Sequence, residues 1–392
     1  MKILIANKFW YRRGGDCIYA INLEQMLREN GIETAVFAMR HPENLKTDFD
    51  SYFPSEISFN GPKAMMGTAT RSLGLGAVRN KFNILLDDFC PDVVHLNNIH
   101  TQLSPVLAEI AHRRGIKVVW TLHDYKLLCP RYDCRQNGTQ QCEECFRCKL
   151  PVLKHKCMKN SFPASVLAFL EAVCWNRKRL ERCVDIFICP SEFIRQKMLQ
   201  GGFKAGKLVH LCNSLDTSKC KLDDYDNRAD YCCYVGRLSA EKGVGTLIAA
   251  ARKLPDRKFV IVGDGPLSNS LTSLASDNVK FVGRKDWPEI KDIVGKAAFS
   301  VMPSECFENN PLSVIEAQCL GTPVLGAEIG GIPELIDDNC GMTFKSADSI
   351  NLEDKMKQMF AKRFDYASIA SSSLKKYDSE AYFNNLMDLY AE

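Results

Sequence analysis

The sequence predicts an α/β protein made of two doubly wound, parallel-sheet domains, and three observations predict it. Short apolar runs alternate with amphipathic, helix-period stretches along most of the 392 residues, the pattern of parallel βαβ units. That alternation breaks once, at the polar, Asp-rich segment CNSLDTSKCKLDDYDNRAD, and then restarts. At roughly 150 residues per domain the length suits two or three domains, and each half is long enough to bury its own core.

Taken in order, KILIAN reads as the first strand. DCIYAINLEQMLRENG follows as an amphipathic helix ended by Gly31, and IETAVFAM as the second strand. DVVHLNN and KVVWTLHD are further strands. DIFICPSEFIRQKMLQGG holds a strand, a helix cap at Ser191 and a helix. A long helix near 163–182 joins an apolar body to a basic end. After the polar break, which reads as a linker, YCCYVGRLS, KFVIVGDG, VKFVG, AAFSVMPS and TPVLGAE repeat the strand pattern with helices between them. The expected organisation is a Rossmann-like domain over 1–212 and a second over 213–367. A C-terminal helix over 368–392 is expected to pack back on the first.

Composition narrows the class. A hydrophobic fraction of 46% and a charged fraction of 25% are ordinary for a globular chain. No run of about 18 apolar residues offers a bilayer-spanning helix. The N-terminus MKILIANKFW lacks a signal-peptide core, so a cytoplasmic location is expected, and the 18 cysteines are expected as reduced thiols. Charge is uneven. Residues 1–212 hold 30 basic and 20 acidic side chains, while 213–392 hold 21 and 27. Residues 126–182 alone carry 12 basic against 5 acidic. Such asymmetry fits an anionic partner for the first half, and it equally fits plain solvated charge.

Three segments carry candidate chemistry. Gly14 and Gly15 lie between the first strand and the first helix, where helix-end amides attract anions and a missing Cβ admits a ligand. RRGGD is not the GxGxxG dinucleotide fingerprint, and neither is VGDGP, which argues against an NAD-dependent oxidoreductase. In YVGRLSAEKG, Arg237 follows a strand and Lys242 comes five residues later; two cations there can neutralise a diphosphate. In PSECFENNPLSVIEAQCLGTPV, Glu308 and Glu316 stand eight residues apart, about 12 Å of helix rise. Two carboxylates so spaced can accept hydrogen bonds from sugar hydroxyls at two points of one ligand, or they can serve as a helix-dipole and a surface glutamate.

The ordered set resembles the retaining glycosyltransferase family 4, with its GT-B fold. It comprises the Gly-Gly loop, HDY, PSEF, CNSLD, GRLSAEKG, VGDGP, the Glu-seven-residues-Glu motif and GGIPE. The resemblance covers nearly the whole chain. It implies two domains that close on a nucleotide sugar, UDP- or GDP-linked, with no cofactor required for catalysis. Arg237 and Lys242 then resemble the diphosphate cations, and Glu316 the carboxylate on the ribose. Glu308 resembles the carboxylate on the transferred sugar. Backbone amides over Asn309, Asn310 and Leu312, together with Gly14 and Gly15, would hold sugar and phosphate. Gly283 and Arg284 fall where the base is held, and His123 where a histidine faces the reacting sugar. A His beside an Asp at a strand end is also a common structural pair.

A cysteine-rich, basic insert over about 129–160 interrupts the first domain. It holds Cys129, Cys134, Cys142, Cys145, Cys148 and Cys157. It reads either as a lobe tied by a structural zinc or as a metal-free, thiol-rich loop. Its lysines and the apolar helix that follows suit either an anionic membrane surface or a buried helix with a solvated end. Through the resemblance, the first domain would bind a glycan or lipid-diphosphate acceptor at the inner face of the cytoplasmic membrane. No nucleic-acid partner is expected.

Overall fold

The computed structural model describes residues 1–57 and 62–391. Its chain forms two compact units, Met1–Leu211 with Phe383–Glu392, and Cys212–Tyr382.

In the first unit the strands are β1 (Lys2–Ala6), β2 (Glu33–Phe37), β3 (Val93–Leu96), β4 (Lys117–Thr121), β5 (Arg135–Gln136), β6 (Gln140–Gln141), β7 (Ile186–Cys189) and β8 (Leu208–His210). Six of them form one sheet in the order β2-β1-β3-β4-β7-β8, and every pairing in it is parallel. β3 and β7 are buried along their whole length, as a sheet covered on both faces requires. β5 and β6 pair antiparallel in a small hairpin inside the cysteine-rich insert.

The second unit contributes β9 (Ala229–Val235), β10 (Lys258–Val262), β11 (Val279–Gly283), β12 (Ala297–Met302), β13 (Val324–Ala327) and β14 (Gly341–Phe344), again an all-parallel sheet, ordered β11-β10-β9-β12-β13-β14. Its apolar core joins strand residues such as Tyr234, Phe259, Phe299 and Phe344 to helix residues such as Ile315 and Met356. The predicted fold class of two doubly wound α/β domains is therefore the observed one.

Four details differ from the sequence expectation. β8 and β14 were not anticipated: LVH and GMTF are too short to register as apolar runs. The expected long helix near 163–182 is two helices, Phe162–Cys174 and Arg177–Cys183. They part at Asn176, whose side chain accepts the backbone N–H of Arg179 and so caps the second. The polar segment after Leu211 is no free linker. Leu215 and Cys220 lie in the second unit's core, and Leu215 donates its N–H to the Tyr377 carbonyl at 3.1 Å. The C-terminal stretch is also two helices, Tyr366–Lys376 and Ser379–Ala391, and the residues that belong to the first unit begin at Phe383. There the Tyr390 hydroxyl meets the buried Nδ1 of His95 at 2.5 Å.

Candidate functional site

Open parallel sheets bind ligands beyond the carboxyl ends of their strands, where the strand order reverses. In the second unit that reversal lies between β9 and β12. The loop after β9 carries Arg237 and Lys242. The loop after β12 runs through Ser304 and Glu308 to the helix Leu312–Cys319. Arg237 is exposed and forms no ion pair among the described residues. Lys242 Nζ meets Glu308 Oε1 at 2.5 Å, with the two side chains 25% and 13% exposed. Ser304 donates its hydroxyl to the same Glu308 oxygen at 2.7 Å. Burial alone would lower the Lys242 ammonium, but the Glu308 carboxylate carries it above its usual range.

The two loops are tied together. Thr246 donates to Glu305 at 2.6 Å, and the Glu305 N–H donates to the Glu241 carbonyl at 2.8 Å. Close backbone approach requires glycine twice. Gly243, at φ +66°, faces the Pro303 carbonyl, and Gly330, at φ +62°, faces the Glu308 backbone; a Cβ on either would overlap those atoms. The neighbouring Gly331 N–H donates to the Glu308 carbonyl at 2.8 Å. The GGIPE motif thus sets the height of Glu308 over the sheet.

Glu316 lies one turn into the helix that Leu312 opens. Its carboxyl has no hydrogen bond or ion pair among the described residues, and burial pushes it up to about 7. No side chain caps the N-terminus of that helix, which leaves first-turn amides for a ligand. Asn309 and Asn310 are buried. The Asn310 side chain is committed to structure: its Oδ1 accepts the N–H of Asn213 at 3.1 Å. Gly283 ends β11, two strands away from β9, and its carbonyl accepts the Gly263 N–H at 2.8 Å; Arg284 beside it is exposed.

In the first unit the strand order reverses between β1 and β3. Asn7 and Lys8 follow β1, Asn97 and Asn98 follow β3, and His123 and Asp124 follow β4 just after the turn out of the strand. Gly14 caps the helix Gly15–Glu29 without a side-chain hydrogen bond, and a Cβ on Gly15 would meet open space. His123 Nε2 stands 2.9 Å from Asn97 Oδ1. An amide oxygen only accepts, so the ring proton sits on Nε2 and Nδ1 is left as an acceptor. Burial lowers His123 to about 4, against the opposing pull of Asp16. Asp16 itself accepts from Asn98 at 2.9 Å. Burial would raise it, yet Lys8 and His123 hold it below the usual range. Asn97, 1% exposed, keeps an Nδ2 with no partner among the described residues. An oxygen of a bound molecule would satisfy that donor.

Asn97, Asn98, Asp16 and Ser304 were not singled out from the sequence, and GGIPE was named there without a role for Gly330. The available signal was positional: polar or Cβ-free residues directly after apolar strand runs.

The insert's cysteines are all free thiols. Cys129 and Cys134 are buried and share a hydrogen bond, which holds the Cys129 thiol down at about 7. Cys145 and Cys157 pack with Val152 in a small apolar cluster. Cys148 is exposed and Cys142 half-buried. Lys149 ties the lobe together, donating to the carbonyls of Leu128 at 2.5 Å and Cys145 at 2.8 Å. Among the described residues, no group of three or more His, Cys, Asp or Glu side chains is placed to hold a metal.

The chain matches the sequence model of Glycosyltransferase Family 4 over residues 13–219 and that of Glycosyl transferases group 1 over residues 224–377. An uncharacterised 42.6 kDa protein in the cps region of Klebsiella pneumoniae is 25% identical over 352 residues, covering 86% of this chain and 87% of that protein. The amylovoran biosynthesis glycosyltransferase AmsK of Erwinia amylovora is 35% identical over 40% of this chain and 42% of its own length. Among solved structures, Anabaena HepE in complex with UDP and glucose superposes with a TM-score of 0.69 at 17% identity, over 100% of this chain and 99% of that one. At that identity the likeness is one of fold, and the fold is GT-B.

Proposed function

The chain belongs to glycosyltransferase family 4, and from that premise we propose that it moves a sugar from a UDP- or GDP-linked donor to a glycan or lipid-diphosphate acceptor. The anomeric configuration is retained, and the setting is bacterial surface polysaccharide or glycolipid synthesis. The observation that carries this reading is the Lys242–Glu308 pair beside the exposed Arg237, at the strand-order reversal of the second sheet. The pair keeps both charges in place until a ligand divides them. The donor's diphosphate takes Lys242 and Arg237, and the sugar hydroxyls take Glu308. Glu316 accepts from the ribose, the amides over Asn309–Leu312 meet the distal phosphate, and Gly283 and Arg284 flank the base. From the first unit, His123 is assigned to the transferred sugar and the Gly14–Gly15 amides to phosphate.

As the bond from the anomeric carbon to the phosphate oxygen breaks, negative charge grows on the leaving nucleoside diphosphate. Two cations and helix-end amides stabilise it without a metal ion. The new bond forms on the face the leaving group vacates, and the acceptor's proton passes to the departing phosphate oxygen. Support comes from HepE, whose structure holds UDP and glucose, and from relatives in the cps region of Klebsiella pneumoniae and in amylovoran biosynthesis. The lipid-linked acceptor brings the enzyme to the inner face of the cytoplasmic membrane.

Thermal-shift titration with UDP, GDP and ADP, followed by NMR of the product's anomeric linkage, tests the reading. Stabilisation by one nucleotide, lost in Lys242→Ala, supports it. No stabilisation by any of the three, or an inverted linkage, removes it.

A further inference from the structure

The helix Phe162–Cys174 is turned inside out. Its inward face presents Ser165, Ala168 and Glu171, while its outward face presents Phe162, 53% exposed, with Leu170 and Val173, each 47% exposed. Phe162, Leu170 and Val173 lie eight and three residues apart and so share one side of the helix. The inward polar groups are accounted for. Glu171 pairs with Lys126 at 3.1 Å and accepts the Thr101 N–H at 2.9 Å. Ser165 donates to the Ser161 carbonyl at 2.9 Å.

The surroundings extend this face. Leu150, 57% exposed, opens the short helix Pro151–Lys154, which packs on the same helix through Phe169. Lys154 is exposed at the end of that short helix, Lys156 and Lys159 on the turn that follows it, and Lys178 beyond the far end. None of the four forms an ion pair among the described residues. Between Glu144 and Glu171 the chain has five Lys or Arg and no acidic residue. The one carboxylate on the helix points inward, so its outward side carries no negative charge. At 13 residues the helix is about 20 Å long, and no helix of the described residues is long and apolar enough to cross a membrane.

We propose that the outward face of Phe162–Cys174, ringed by Lys154, Lys156, Lys159 and Lys178, lies flat on an anionic phospholipid bilayer, its apolar side chains at the acyl boundary and its lysines among the headgroups. A row of half-exposed apolar side chains without acidic neighbours, bordered by uncompensated lysines, has the chemistry of an interfacial segment. A protein partner of ordinary composition would place carboxylates against those lysines and leave the apolar row only partly matched. This contact does not depend on sugar transfer and can be measured without it.

The full-length protein is sedimented with vesicles of phosphatidylcholine alone and with vesicles containing 30 mol% phosphatidylglycerol, at low and high salt. Binding to the anionic vesicles that weakens with salt supports the proposal. Lys154→Gln/Lys156→Gln/Lys159→Gln is expected to lower partitioning roughly 100-fold at low salt. Leu170→Ser/Val173→Ser is expected to lower it about 10-fold or more on both vesicle types. Both variants should keep the wild-type nucleotide thermal shift, which shows that they are folded and separates this test from that of the transfer reaction. Equal recovery on neutral and anionic vesicles, no recovery, or variants that bind as the wild type does would overturn it. So would a lipid-free dimer in sedimentation velocity that Leu170→Ser/Val173→Ser converts to monomer, because the face would then belong to a second copy.

Discussion

Glu316 holds a carboxyl in a place that disfavours its charge, with no partner to offset the cost. Its folded value, about 7, lies above that of the unfolded chain. Its contribution to stability is therefore fully present below the unfolded value and is lost as pH rises through about 7. Glu316→Gln should melt higher than the wild type at pH 8, by an amount on the order of 1–3 kcal/mol, and level with it at pH 4. Calorimetry at the two values checks this; equal melting at pH 8 would refute the unpaired, desolvated carboxylate. The same variant should bind the nucleotide more weakly, because an amide accepts from a ribose hydroxyl less strongly than a carboxylate does. Lys242 and Glu308 behave as a unit. Lys242→Met and Glu308→Gln each leave a largely buried charge alone and should each cost about 3 kcal/mol, whereas the double variant should cost less than the sum. Turnover should fall at least 100-fold in all three. Additive stability losses would show that the pair is not coupled. His123, already neutral near pH 7 because burial lowers it to about 4, should place no inflection in the rate profile between pH 6 and 8.

Among the elements, Gly330 shows how a loop outside the chemistry governs it. Gly330→Ala would press a methyl group on the Glu308 backbone and force a positive-φ conformation on alanine. A loss of about 1–3 kcal/mol is expected, with nucleotide affinity retained and kcat reduced; a variant with wild-type kcat would sink the idea that this loop sets Glu308. The elements also show what could be read beforehand. β1, β3, β4, β9, β10 and β12 were legible because strands buried on both faces must be apolar throughout. β8 and β14 sit at sheet edges and are three and four residues long, so they leave almost no pattern. The break at Asn176 was hidden because the helical period resumes within one residue of the cap. Arg237, Lys242, Glu308 and Glu316 were legible as residue types at characteristic spacings. Their contacts were not: nothing local says that Lys242 pairs with Glu308 while Glu316 is left alone, since that depends on β9 lying beside β12. Asn97 and Asp16 were missed for the same reason.

Across the whole molecule, acid should act on the two units in opposite senses. His95, His100 and His123 all belong to the first unit, and burial lowers each of them, His95 to about 3 and His123 to about 4. For a histidine so depressed, stability is present above the unfolded value near 6.5 and is lost as pH falls toward the folded value. Glu316, in the second unit, works the other way. Between pH 7.5 and 5.5, amide exchange should therefore speed up within 1–211, after correction for intrinsic rates, and not within 212–382. Hydrogen-exchange mass spectrometry of the intact chain decides it, and a uniform change across both units would contradict the assignment.

The Tyr390 hydroxyl that covers His95 belongs to a segment that follows the whole second unit in the chain. A ribosome adding about 5–20 residues per second needs roughly 10–30 s to make the intervening 212–382 stretch. For that interval a nascent first unit lacks its closing segment, the buried Leu386 and Leu389 as well as the Tyr390 hydroxyl that covers His95. The second unit, contiguous in the chain, can finish folding before the older one does. Completion of the first sheet's unit thus waits on residues that follow the entire second unit in the chain.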